Sequence, residues 1–177
     1  MGLSYEEFTA LFTRFEREAI HLEMRDSYGT KVELPHMAKW AAGEPDDLEW
    51  LRPWCDQVRQ QVAEGKRYRR VHVVSEPLSD YQRWSYSIMQ PHVDAGTEMR
   101  WMPRRQVSEI GFPGNDFWLF DRRLVVFHHY SGNGANIDFT ISTSPAAIEL
   151  CYGAFEVVWP LAVPHADYHP RLTGQNP

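Results

Sequence analysis

An α/β fold built on a mixed β-sheet is predicted by three features of this sequence. The first is a change of grammar near residue 66, where helical spacing of apolar residues gives way to short apolar runs separated by helix and turn signals. The second is the order of those later signals, β-α-β-β-β-α, whose strand–helix–strand start implies a parallel pair joined by a crossover. The third is the run DFWLFDRRLVVFHHY (116–130), two strands about a tight turn, which extends that sheet with antiparallel strands. The expected organisation is one domain over 1–163, a helical lead-in (1–65) followed by the sheet and its helices (66–163), with a polar, proline-rich tail over 164–177. A chain of 177 residues is long enough for one packed core.

The first helix opens on a capping box, Ser4 with Glu7, and Phe8, Leu11, Phe12, Phe15, Ala19 and Leu22 recur at helical spacing. The stretch HLEMRDSYG then alternates and ends in glycine, predicting a short strand or extended segment. A second helix over about 32–42 stops at Gly43, and a third starts near Asp47 and closes at Gly65, with Trp50 and Trp54 on one inward face. RRVHVVSEP reads as a strand ended by Glu76-Pro77. SDYQRWSYSIMQPHVDAG opens on a second box, Ser79 with Gln82, and reads as a helix closing at Gly96, with Pro91 able to end it a turn early. TEMRWMPRR is the next strand. The hairpin follows, then the strand NIDFTIST, and Ser144-Pro145 starts a last helix whose buried stripe is Ile148, Cys151, Phe155, Val158 and Trp159.

Composition narrows the function classes. With 43% hydrophobic and 14% aromatic residues the chain is a folded protein rather than a disordered one. No apolar run approaches the roughly 20 residues of a membrane span, and MGLSYEEFTALF lacks the basic and apolar regions of a secretion signal, so a cytoplasmic protein with no membrane partner is expected. Two cysteines, Cys55 and Cys151, are too few for a disulfide framework and read as a reduced, buried pair. The net charge of −6 argues against direct nucleic-acid binding. It is unevenly spread: residues 1–65 carry 7 Lys/Arg against 13 Asp/Glu, and residues 66–123 carry 10 against 7. The basic middle either faces an anionic partner or pairs with the acidic first third.

Motifs for chemistry are sparse. His128 and His129 are neighbours on a strand and so face opposite sides, and His165-x-x-x-His169 has no cysteine partner; no metal and no cofactor are expected. There is no G-x-S-x-G elbow, and SGNGAN (131–136) lacks the lysine of a phosphate loop. The carboxyl ends of the strands are where an open α/β sheet gathers its functional groups. Parallel strands over 71–76 and 98–103 would bring Glu76, Tyr81, Arg83, Arg100, Arg104 and Trp118 to one edge, a mixture of arginine and aromatic anchors suited to a ligand or partner. Asp80, Asp116 and Asp121 form an alternative acidic site. The plainer reading of those acids is structural: Asp80 starts a helix and pairs with Arg83, and Asp121 makes a turn.

The stretches LFTRFEREAIHLEMRDSY, WAAGEP, RVHVVSEPLSDYQRW, AGTEMRWMPRR and DFWLFDRRLVVFHHYSGNG resemble, in that order, an uncharacterised actinobacterial family, the domain of unknown function numbered 6879. The resemblance covers the chain to about residue 163. It implies a cytoplasmic protein encoded near helix-turn-helix regulators. More remotely, the element order resembles one half of a phospholipase-D-like fold, whose enzymes carry H-x-K-x-x-x-x-D before the turn. With Asp121 as the aspartate, the histidine position is Gly114 and the lysine position is Asp116, so the resemblance does not extend to the phosphodiesterase motif. The expected function is a non-catalytic binding or regulatory module, a partner or sensor for a helix-turn-helix transcription regulator. The alternative is an enzyme acting on a phosphorylated or other small anionic ligand.

Overall fold

Seven strands form a single sheet in the order β6-β5-β4-β1-β2-β3-β7, in a computed structural model that describes residues 2–170. The parallel centre is β1 (Glu18–Glu23), β2 (Arg67–Val74) and β3 (Thr97–Pro103). On the far side of β1 run the antiparallel β4 (Phe117–Phe120), β5 (Leu124–Tyr130) and β6 (Asn136–Ser142), and the two-residue β7 (Val163–Pro164) borders β3. The crossovers carry α2 (Leu34–Ala41) and α3 (Arg52–Ala63) between β1 and β2, then α4 (Asp80–Ser87) and α5 (Gln90–Asp94) between β2 and β3. With α1 (Tyr5–Leu11) these pack on one face of the sheet; α6 (Pro145–Val158) packs on the other.

The α/β class and the mixed sheet are as predicted, and the first third differs in one respect. The first helix ends at Leu11, and residues 18–23 form the central strand of the sheet, so 1–65 is not a purely helical lead-in. Ala19 faces the helical layer with Phe15 and Tyr68, while Ile20 and Leu22 face α6. The strand starts three residues before the alternating stretch that signals it, and Ala19 and Leu22 happened to continue the helical spacing of Phe8 to Phe15. The tail also differs: Val163 pairs with β3, His165 accepts a hydrogen bond from Trp101 Nε1 at 3.0 Å, and Tyr168 stacks on Trp101. Residues 171–177 of the predicted tail lie outside the described residues.

Local signals act largely as read. Ser4 and Glu7 close both halves of their capping box. Ser79 caps α4 by accepting from Gln82 N, while the Gln82 side chain donates to Arg25 O at 2.8 Å and ties the loop after β1 to α4. The acidic first third pairs with the basic middle: Glu18 meets Arg69 at 2.6 Å, Glu23 meets Arg70 at 3.5 Å and Asp26 meets Arg104 at 3.8 Å.

Asp121 and Arg122 lead the three-residue β4–β5 turn (121–123) with φ of 51° and 53°, left-handed backbone that aspartate adopts more readily than most residues. The Asp121 carboxylate accepts from the backbone amides of Glu16, Arg17 and Glu18 at 2.7, 2.8 and 2.9 Å, fixing the start of β1. Burial would raise its pKa, but those three amides outweigh it and hold the carboxyl below the usual range. Asp121→Ala is expected to cost about 1–3 kcal/mol in urea denaturation, since three donors lose a charged acceptor. A loss under roughly 0.5 kcal/mol would mean that water replaces the carboxylate without penalty.

Candidate functional site

Polar side chains alternate with apolar ones on the two central strands, and the register brings the polar ones together. His21 of β1 lies opposite Arg70 of β2, and Glu23 opposite His72. Trp118 of β4 flanks His21, and Trp101 of β3 flanks His72. All point into the helical layer. Each imidazole stacks on its tryptophan, His21 on Trp118 at 4.2 Å and His72 on Trp101 at 4.4 Å, so neither ring is free to turn away.

Glu23 is the centre of this cluster. Its carboxylate lies 2.7 Å from His72 Nδ1, 3.2 Å from His21 Nδ1 and 3.5 Å from Arg70 Nη1. Burial alone would push the carboxyl up, but His72, Arg70 and His21 together hold it well below the usual carboxylate range. His128 of β5 adds a third imidazole 5.7 Å from His21, and His92 of α5 a fourth buried against the same layer. Burial pushes His21 well below the ordinary histidine value, His92 down to about 3 and His128 down to about 4, so all three are neutral at physiological pH.

Five buried polar atoms here have neither a hydrogen-bond nor an ion-pair partner among the described residues: His21 Nε2, Arg70 Nε, His72 Nε2, His92 Nδ1 and His128 Nε2. Leaving a buried polar group unpaired costs about 1–3 kcal/mol, so five in one cluster are a poor way to build a core. Such groups, desolvated beside specific charged neighbours, are where functional sites are sought.

The carboxyl ends of the strands form the rim. Asp116, just before β4, accepts from Met24 N at 2.9 Å and from the Tyr28 hydroxyl; burial raises its carboxyl to about 6, against those hydrogen bonds. Arg104, after β3, donates to the carbonyls of Met24 and Val73 and to Ser75 Oγ, and Asp26 accepts from Ser75 N at 2.7 Å. The loops after all three parallel strands are thereby sewn together. Above them an open cleft of about 370 Å³ is lined by Ser75, Glu76, Pro103, Arg104, Arg105 and Ser108.

The predicted edge residues are only partly assembled there. Glu76 and Arg104 share the cleft, and Glu76 accepts from the Tyr168 hydroxyl at 2.8 Å. Tyr81 is instead buried, donating to Glu33 at 3.0 Å. Arg83 pairs on the surface with Asp80 in the same helix turn. Arg100 points to the α6 face, its guanidinium 4.2 Å over Trp159 and donating to that residue's carbonyl. Trp118 sits in the core beneath α1 and α3. Odd and even residues of a strand face opposite sides, and this separates Arg100 from the Trp101 face. The acidic alternative is also dispersed. Asp116 and Asp121 stand at opposite ends of four-residue β4, roughly 13 Å or more apart along the strand, and Asp80 is exposed on α4.

The sequence did carry a signal for the missed cluster. HLE (21–23) and RVH (70–72) each place two polar residues at i, i+2 within apolar strands, aimed at one side. The first opens the stretch HLEMRDSYG, read as a short strand or extended segment, but the parallel register that sets it beside the second is not local to either.

Residues 6–170 match the model of a family described as a domain of unknown function, DUF6879. The chain belongs to that family. No curated protein matches it. Among solved structures it is similar to NucT from Helicobacter pylori, with a TM-score of 0.53 at 10% identity, covering 93% of this chain and 96% of that one. At that identity the likeness speaks for the fold, and it agrees with the phospholipase-D-like half read from the element order. Among the described residues no helix is long and apolar enough to cross a membrane.

Proposed function

We propose that this DUF6879 protein is a non-catalytic binding and regulatory module, a cytoplasmic partner or sensor for a helix-turn-helix transcription regulator. The observation that carries this reading is the structural use of the two acids at the former motif positions. Asp116 is bound to Met24 N and the Tyr28 hydroxyl, and Asp121 to three backbone amides. With Gly114 at the histidine position and Asp116 at the lysine position, the residues that would attack phosphorus and protonate the leaving group in that motif are replaced. The open cleft over Ser75, Glu76, Arg104 and Arg105 supplies the contact surface, with Arg105 exposed at its edge. The helix-turn-helix partner comes from the family resemblance.

Calorimetry with the purified regulator encoded beside this gene tests the reading. Arg105→Ala with Ser108→Ala is expected to weaken binding about tenfold or more while leaving the melting temperature unchanged. Absence of binding by the unaltered protein would overturn the proposed partnership.

A second reading, an enzyme acting on a phosphorylated or other small anionic ligand, is favoured by one observation: the Asp116 carboxyl is raised to about 6, within the range of a general acid. Bis(4-nitrophenyl) phosphate, with and without magnesium or manganese, distinguishes the two. No turnover is expected. Turnover that disappears in Asp116→Asn would establish the enzyme and retire the non-catalytic reading.

A further inference from the structure

We propose that His21, His92 and His128 form a proton-operated latch between the helical layer and the sheet, closed while the rings are neutral and opened by mild acid. The proposal stands on where the rings sit. His128 meets Phe8 of α1 edge-on at 5.1 Å and Phe139 of β6 at 4.9 Å, so this ring is part of the seat of α1. His92 is the buried residue of α5, the short helix that leads into β3. His21 lies between them on the central strand, clamped on Trp118, whose other neighbours include Phe12 of α1 and Trp54 of α3. Three separate elements therefore rest on three imidazoles of one cluster.

The charges that face these rings decide what a proton does. From β1 comes Glu23, from β2 Arg70 and His72, and from the segment before β4 Asp116. From β5 comes Tyr130, with Arg25 over its ring, and from the loop after β1 Tyr28; His129 lies on the opposite face and acts on His128 only through space. Glu23 is the carboxylate in direct contact with His21, and it already serves Arg70 and His72. Added protons would put up to three cations beside Arg70 with that one carboxylate between them. Opening returns the rings to water, where each takes a proton near its ordinary value.

The sign follows from the folded values. Depressed histidines favour the closed state fully above about pH 6.5 and lose that contribution as pH falls toward about 4 for His128 and about 3 for His92. Asp116 works the other way, since its raised carboxyl favours the closed state below about 6. Glu33, whose carboxyl burial also raises, works with Asp116; three rings act against these two acids, so the balance below about pH 6.5 is toward opening. A layer that needed only packing would be served by leucine or phenylalanine without unpaired ring nitrogens. The latch is independent of whether the partner is a transcription regulator.

Hydrogen exchange read by mass spectrometry, corrected for intrinsic rates, at about pH 7.5 and about pH 5.5 tests it, with far-ultraviolet dichroism alongside. Amides of α1 and α5 are expected to exchange about tenfold or more faster in acid while β2 and β3 stay protected, dichroism holds and the change reverses. His92→Gln with His128→Gln should remove the response. If that variant does not fold, the unaltered protein decides: loss of protection in every element at one pH, or no change at about pH 5.5, would overturn the latch. So would a folded double variant that opens like the parent.

Discussion

Glu23→Ala is expected to cost about 3–5 kcal/mol of folding stability, read as a fall of the urea midpoint at neutral pH. Among the described residues the side chain is the one carboxylate within 3.5 Å of His21, His72 and Arg70. Removing it strands a guanidinium that is 13% exposed and packed over Trp118, with Nε already unpaired. A buried charge without its partner is the expensive outcome; a matched apolar pair is not. The double variant Glu23→Leu with Arg70→Met should therefore be less destabilised than Glu23→Ala, and a double-mutant cycle should give a coupling of about 1–3 kcal/mol. A cost under about 1 kcal/mol for Glu23→Ala would mean that Arg70 reaches water when its partner is gone, and that the cluster is a solvated one.

The same cluster explains which parts of this molecule were legible in its sequence. Capping boxes, glycine stops and the hairpin act over a few residues, so Ser4, Gly65 and the Asp121 turn could be read directly. β1 could not. Its identity as a strand is fixed by β2 and β4 on either side and by α6 and the helical layer above and below, none of which is local to residues 18–23. The pairing of His21 with Arg70 and of Glu23 with His72 spans 49 residues of sequence, and exists only once the parallel register is set. The edge site was half legible for a related reason. Topology brought Glu76 and Arg104 together at the strand ends, but the pleat turned Arg100 away and the core took Trp118.

Phe117→Ala is the apolar counterpart, expected to cost about 3–5 kcal/mol in urea denaturation, with Leu119→Ala costing about 2–5 kcal/mol. Both lie on β4, an interior strand between β1 and β5, and both face the α6 side. Phe117 is fully buried, with Leu22 opposite it on β1 and Phe127 on β5, so its ring fills the sheet–helix interface where α6 places Cys151, Phe155 and Val158. A helix seated on several large side chains cannot collapse into one ring-sized void, and the cavity remains as a cost beyond lost transfer energy. The two variants differ in reach. Phe117 adjoins Asp116, whose carboxylate holds Met24 N and the Tyr28 hydroxyl at the rim, whereas Leu119 is two residues deeper into the strand. Only Phe117→Ala should therefore speed hydrogen exchange at Met24 beyond what its stability loss accounts for. Equal exchange at Met24 in two variants of equal stability would show that Asp116 is positioned by its own hydrogen bonds and not by the packing of β4. A loss under about 1 kcal/mol for either variant would place β4 at an exposed edge, contrary to its two paired neighbours.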